Sequence, residues 1–166
     1  MECPIAAGAD LLGEAWTLLI LRDALDGFTR FDDFQRDLGI APNTLTRRLS
    51  ALVDAGLLER RRYTQRPPRD EYVLTARGRD VRPIVVALYA FADRHLGRDA
   101  GRSLLLVDQA TGAELDPVLV DRASGTPIAE LDAVFAPGPA AGTGTRAHHA
   151  AAARRRNDRP RENPHA

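Results

Sequence analysis

Apolar and polar positions follow a helical period over the first third of the chain. The segment 5–12, opening on Ile5 and closing on Leu12, is short and apolar-rich and predicts a helix of two turns. Residues 14–25 (EAWTLLILRDAL) carry Trp16, Leu18, Leu19, Ile20, Leu21 and Leu25 on nearly every side, which predicts a helix at the centre of the core. Gly27 ends it, and Phe28-Thr29-Arg30 is short and extended. FDDFQRDL at 31–38 has apolar residues at i, i+3 and i+7, a small amphipathic helix. Gly39-Ile40-Ala41 makes a tight connection, and Pro42 suits the first turn of the next helix, where its missing N–H is no loss. That helix, 42–55, sets Leu45, Leu49, Leu52 and Val53 on one face and Asn43, Thr44, Arg47, Arg48 and Ala51 largely on the other.

The pattern then turns extended. LLERRRYT at 57–64 and DEYVL at 70–74 predict two strands, joined through Gln65-Arg66-Pro67-Pro68-Arg69, a stiff turn that cannot be helical. Thr75 suits the N-cap of one long helix over 76–96, from Ala76 to Leu96, whose broad stripe of Val81, Ile84, Val85, Leu88, Tyr89, Phe91 and Ala92 can meet more than one packing partner. Gly97 ends it. A weak internal repeat follows: LLVDQATG at 105–112 is echoed by VLVDRASG at 118–125, each an apolar run leading into a D-x-A-[ST]-G turn. These predict a small β-hairpin appendage over 103–135. From 137 to 166 Gly, Pro, Ala and Arg dominate without apolar period, which predicts a disordered tail.

Charge changes this picture more than composition does. The formal net charge of the 166 residues is zero, yet the charges are segregated. Residues 1–41 hold three arginines against eight acids, residues 42–79 nine against four, residues 80–145 five against nine, and residues 146–166 six against two. Phosphate contact depends on the local field, so a basic segment between acidic ones reads as a binding face on an otherwise repelled body. No stretch approaches the roughly 18 consecutive apolar residues of a membrane span. The N-terminus has no basic region leading into an apolar run, and a cytoplasmic, nucleoid-associated protein is expected. The four histidines (His95, His148, His149, His165) stand at a helix end and in the tail, without a nucleophile or metal-ligand spacing beside them. No enzyme, cofactor or metal is expected.

Two short helices joined by a tight turn, the second with a basic polar face, describe a helix-turn-helix, and the arginine-rich hairpin after it makes a wing. The fold class is therefore α+β: a winged helix-turn-helix with flanking dimerisation helices and a small C-terminal β appendage. Such a second helix enters the major groove of double-stranded DNA and offers its N-terminal side chains to base edges. Here those are Pro42, Asn43, Thr44, Thr46, Arg47 and Arg48. Asn pairs bidentately with adenine, Arg with guanine, and the Thr methyl touches thymine. At the hairpin tip Arg66 and Arg69, splayed by the two prolines, can reach phosphates or the minor groove, with Tyr63 and Thr64 adding backbone contacts.

The residues from Cys3 to Leu96 resemble the HxlR family of bacterial winged-helix regulators, relatives of the MarR type. The motifs are CPI at 3–5, LLGEAWTLLILRDAL at 11–25, RFDDFQRDLGIAPNTLTRRLSALVDAGLLERR at 30–61, PPR at 67–69 and EYVLTARGR at 71–79. The resemblance implies a homodimer through 5–12 and 76–96, a pseudo-palindromic operator, and a domain over 1–97. Cys3 matches the N-terminal cysteine that serves some members as a redox sensor, and as the only cysteine it can form only an intermolecular disulfide. A small-molecule effector seated near Trp16, Tyr89 and Phe91 is a further expectation. The competing reading from another class is a protein-interaction module that uses the winged helix as a scaffold. The exposed Asn43, Thr44, Arg47 and Arg66 argue against it, since a scaffold has no need of them.

Overall fold

The computed structural model describes residues 3–96 and 101–157. The expected helix stop at Gly97 and the tail from 158 onward lie outside them. The chain divides into two compact units, one of Leu11–Leu119 and one combining the residues up to Asp10 with those from Val120 onward.

The first unit contains the winged helix. After α1 (Pro4–Leu12) come α2 (Ala15–Leu25), α3 (Phe31–Leu38), α4 (Pro42–Asp54), β1 (Leu58–Gln65) and β2 (Pro68–Leu74). The core is built where their apolar stripes converge: Ile20 and Leu21 of α2, Phe34 of α3, Leu45, Leu49 and Leu52 of α4, and Leu57 and Leu58 at the base of the wing are all buried. Leucines at 45, 49 and 52 repeat at the helical i, i+4, i+7 spacing, so α4 is held by one face and leaves the other to solvent. Two strands form the wing, pairing antiparallel from Leu58↔Leu74 to Gln65↔Pro68, with an irregularity between Arg62 and Thr64 that leaves Tyr63 as the extra residue.

The wing closes on a clasp. Thr75 Oγ1 accepts from the Gly78 N–H at 3.0 Å and donates to the Gly56 carbonyl at 2.7 Å, while the Thr75 N–H reaches the Leu57 carbonyl at 3.1 Å. This cap starts α5 (Ala76–Arg79), which is followed by α6 (Arg82–His95). The single helix expected over 76–96 is thus two. Pro83 explains the break: it has no N–H to donate and its ring crowds the preceding turn, so it is tolerated in the first turn of α6 and not inside a continuous helix.

Two further expectations are corrected. The 103–135 appendage contains no paired strand; its two turns are each closed by an isolated bridge, Val107↔Glu114 and Val120↔Pro127, too short to build a sheet. The turns themselves form as the repeat predicts, with Asp108 accepting from Thr111 N at 2.8 Å and Asp121 from Ser124 N at 2.9 Å. They fall in different units, the second followed by a 3₁₀ turn at Ile128–Glu130. The tail expected to be disordered forms α7 (Thr143–Asn157). It needs no apolar stripe: Ala147 and the run Ala150, Ala151, Ala152 and Ala153 favour helix intrinsically, and three arginines in its last turn complement the helix dipole. Among the described residues no single helix is long and apolar enough to cross a membrane.

Candidate nucleic-acid interface

α3 stops at Gly39, whose φ of 60° is the left-handed conformation that only glycine adopts cheaply, and its N–H closes on the Gln35 carbonyl at 3.0 Å. Ile40 is buried and pins the turn, and Pro42 opens α4 two residues later. The turn therefore fixes the angle at which α4 presents its outer face. Pro42, Asn43, Thr46, Arg47, Ser50, Ala51 and Asp54 form the exposed stripe, with Thr44 half-buried at its edge. Ser50 lies one turn beyond Arg47 on this stripe. It was not singled out in the sequence, although helical spacing from Arg47 places it there.

Nine arginines fall between 42 and 79, and most are already engaged. Arg48, expected to read bases, instead pairs with Glu14 Oε2 at 2.5 Å with its side chain only 17% exposed. It ties α4 to the residue before α2, and its partly buried position withdraws it from the outer face. Arg60 and Arg62 both pair with Asp70, and Arg61 pairs with Glu59. Arg77 and Arg79 donate to the carbonyls of Ala55 and Leu74. Of these nine, only Arg47, Arg66 and Arg69 have side chains without a partner among the described residues. One stands on the exposed stripe of α4 and two at the wing tip, all three exposed.

Arg30 is a residue that sequence reasoning missed. Its guanidinium lies over the Tyr63 ring at 4.9 Å from the centroid, a cation–π contact that props the wing against the start of α3. Arg30, Tyr63 and Arg69 line a shared cleft of 430 Å³ with Asp32, Asp70 and Tyr72. The RF pair at 30–31 was the available signal, but only the fold brings the wing to it. Thr46 is exposed, and its hydroxyl donates back to the Pro42 carbonyl at 2.9 Å, leaving its methyl and an oxygen lone pair for outside contacts.

The three residues expected to flank an effector between the dimer helices have different surroundings in the single chain. Trp16 packs half-buried against the core, and Phe91 is 56% exposed with its ring 5.0 Å from that of His95. Tyr89 lines a cavity between α2 and α6. Cys3 is exposed just before α1, its carbonyl accepting from the Ala7 N–H at 3.0 Å. Among the described residues no group of three or more His, Cys, Asp or Glu side chains could hold a metal ion.

A tight helix-turn-helix, an exposed polar second helix and an arginine-tipped hairpin together define a winged helix-turn-helix DNA-binding protein. Residues 11–100 match the model of the HxlR-like helix-turn-helix family, and the chain belongs to that family. It is 39% identical over 135 residues, 81% of this chain and 85% of the relative, to an uncharacterized HTH-type transcriptional regulator of Mycobacterium tuberculosis. Among solved structures it is similar to a Pseudomonas aeruginosa protein described as a transcription factor, with a TM-score of 0.64 and 44% identity over 88% of this chain and 99% of that one. It is also similar to the reduced form of the redox regulator HypR, with a TM-score of 0.54 and 32% identity over 59% of this chain and 96% of that one. The chain is a transcriptional regulator with a helix-turn-helix DNA-binding domain.

Proposed function

We propose that the protein acts in the cytoplasm as a homodimeric repressor that binds a pseudo-palindromic operator. Asn43, Thr46 and Arg47 read bases, and Arg66 and Arg69 grip the backbone beside them. The observation that carries this reading is the selective pairing of the arginines. Intramolecular partners hold six of the nine, and the three left over sit where a major-groove helix and a wing meet DNA. Dimerisation is supported by α1 and α6, neither of which buries a residue. Ile5 on α1, and Ile84, Leu88 and Phe91 on α6, are large apolar side chains left exposed in the single chain.

Fluorescence anisotropy against the DNA upstream of the protein's own coding sequence, across a salt series, tests this. Arg47→Ala is expected to erase the preference over random DNA. Arg66→Ala and Arg69→Ala are each expected to lower the salt slope by about 0.9. Wild-type binding no tighter to that DNA than to random sequence at every salt concentration would count against the operator and favour the interaction-module reading.

A second reading concerns release. Cys3 is exposed, and HypR, a redox regulator, shares the fold at 32% identity. Oxidation of Cys3 to an intermolecular disulfide would alter the dimer at α1. Cys3→Ser should then retain DNA binding in the presence of hydrogen peroxide, and equal loss in both proteins would exclude this route.

A further inference from the structure

A cavity of 480 Å³ lies within the Leu11–Leu119 unit, lined by α2, α6 and a third wall at residues 104–106. That third wall lies beyond residues 11–100, which carry the family match. It is fastened rather than loosely draped. The Tyr89 hydroxyl donates to the Leu104 carbonyl at 3.3 Å and accepts from the Leu106 N–H at 3.2 Å and from Arg102 Nη2 at 3.1 Å. Arg102 in turn donates from Nε to Asp93 at 2.9 Å and pairs with Glu114. One tyrosine hydroxyl and one guanidinium thus turn the chain beyond α6 into a fixed wall over the α2–α6 groove.

The lining is apolar over most of its extent, with charges gathered to one side. There Arg22 donates to Asp23 Oδ1 from Nε at 2.9 Å and from Nη2 at 2.6 Å, and from Nη2 to Asp37 at 3.1 Å. Arg82 reaches only the Leu25 carbonyl, at 3.5 Å, and Asp26 completes the set. The buried Asp23 keeps one oxygen, Oδ2, without a hydrogen-bond partner. Two guanidiniums facing three carboxyls give no field of one sign. The mixture of both signs gives no strong preference for a charged ligand of either kind.

We infer that this cavity is a receptor site for one uncharged, largely apolar molecule, completed by residues 101–106. Its volume lies in the range of small-molecule sites, roughly 300–1,000 Å³. The Arg22–Asp37 pair on its wall links α2 to α3, the first helix of the helix-turn-helix. Occupancy is therefore felt where DNA is gripped, and this second part rests on the DNA-binding reading above.

The probe is N-phenyl-1-naphthylamine, neutral and fluorescent in apolar surroundings, titrated into the full-length protein. Its anionic relative 8-anilinonaphthalene-1-sulfonate serves as the charge comparison. Saturable binding at one site per chain is expected, with the sulfonate at least about tenfold weaker, a difference of about 1.4 kcal/mol. Leu105→Glu, at a cavity position already 47% exposed, should weaken the amine by a similar factor. Leu119→Glu, 69% exposed and outside the cavity, should not. Tyr89→Phe, which keeps the ring and removes the two hydrogen bonds to the third wall and the one from Arg102, should weaken it as well. The site is overturned by non-saturable binding, by equal affinity for amine and sulfonate, by equal loss in Leu119→Glu, or by Leu105→Glu and Tyr89→Phe both binding as wild type. Exclusion of the probe because a second copy of the chain fills the groove also overturns it. Probe binding as expected without any DNA preference leaves the site standing and removes only the operator reading proposed above.

Discussion

Gly78 is the position where one methyl group should do the most damage to the wing. A Cβ built there falls 2.0 Å from the Leu57 carbonyl oxygen and 2.8 Å from Leu74 Cδ2. The leucine side chain can rotate aside, but the carbonyl is main chain and already accepts from the Thr75 N–H at 3.1 Å. Relief to even a tight contact needs a backbone shift of about 1 Å at the point where the wing leaves α4 and returns to α5. Overpacking costs about 1–3 kcal/mol when side chains can adjust, so Gly78→Ala belongs at or above the upper end. A loss of about 3 kcal/mol corresponds to about a 150-fold change in the folding constant and a fall in Tm of roughly 10 °C. Urea unfolding followed through Trp16, the only tryptophan and packed against the core, reads this directly. Gly144→Ala in α7, where a Cβ meets nothing within 4 Å, is the comparison and should stay within about 1 kcal/mol of wild type. A Gly78→Ala protein that unfolds within about 0.5 kcal/mol of wild type would refute the clasp as drawn.

Three other outcomes are expected. Arg48→Met should lower stability by about 1–3 kcal/mol through loss of the Glu14 pair while leaving base preference intact; a changed operator preference would return Arg48 to the reading face. Leu49→Ala, at a fully buried site of α4, should cost about 2–5 kcal/mol by urea unfolding, and a smaller loss would mean α4 is not held by its leucine face. Carboxyl titrations by NMR should separate Asp23 from the two turn aspartates. Burial foremost, partly offset by Arg22, raises Asp23 above 3.8, whereas hydrogen bonds from Thr111 and Ser124 hold Asp108 and Asp121 below it. The folded protein then holds the Asp23 proton more tightly than the unfolded chain does. That contribution to stability is present below pH 3.8 and lost as the pH rises through the raised value. The two turn aspartates contribute in the opposite sense, present above pH 3.8 and lost as the pH falls through their lowered values. Midpoints in the reverse order would contradict the burial and bonding described.

The winged helix was legible because its signals are local and agree with one another. Gly39, Pro42 and the leucines at 45, 49 and 52 each specify the same turn and the same buried face. What sequence could not supply was the partner of each charged side chain. Arg47 and Arg48 are neighbours of the same type, separated by about 100° around the helix. Only the arrival of Glu14, just before α2, decides that one is structural and the other exposed. The α2–α6 cavity was not legible for a related reason: it is shaped by a segment after α6 whose contact with Tyr89 no periodicity announces. The tail was misjudged because apolar period was taken as the mark of a helix, and alanine propensity forms α7 without it.

The division of labour among the arginines bears on how such a regulator changes its target over time. The side chains of Arg47, Arg66 and Arg69 have no partner among the described residues, so substitutions there carry little penalty in folding; on the proposed reading Arg47 sets the DNA address, while the two wing arginines set affinity for any DNA. Five of the other six between 42 and 79 tie one element to another, and drift at those positions is checked by stability whatever the operator. On that reading descendants of this chain can diverge in the DNA they select while keeping a constant frame, and retargeting by design begins at Arg47 rather than at the wing.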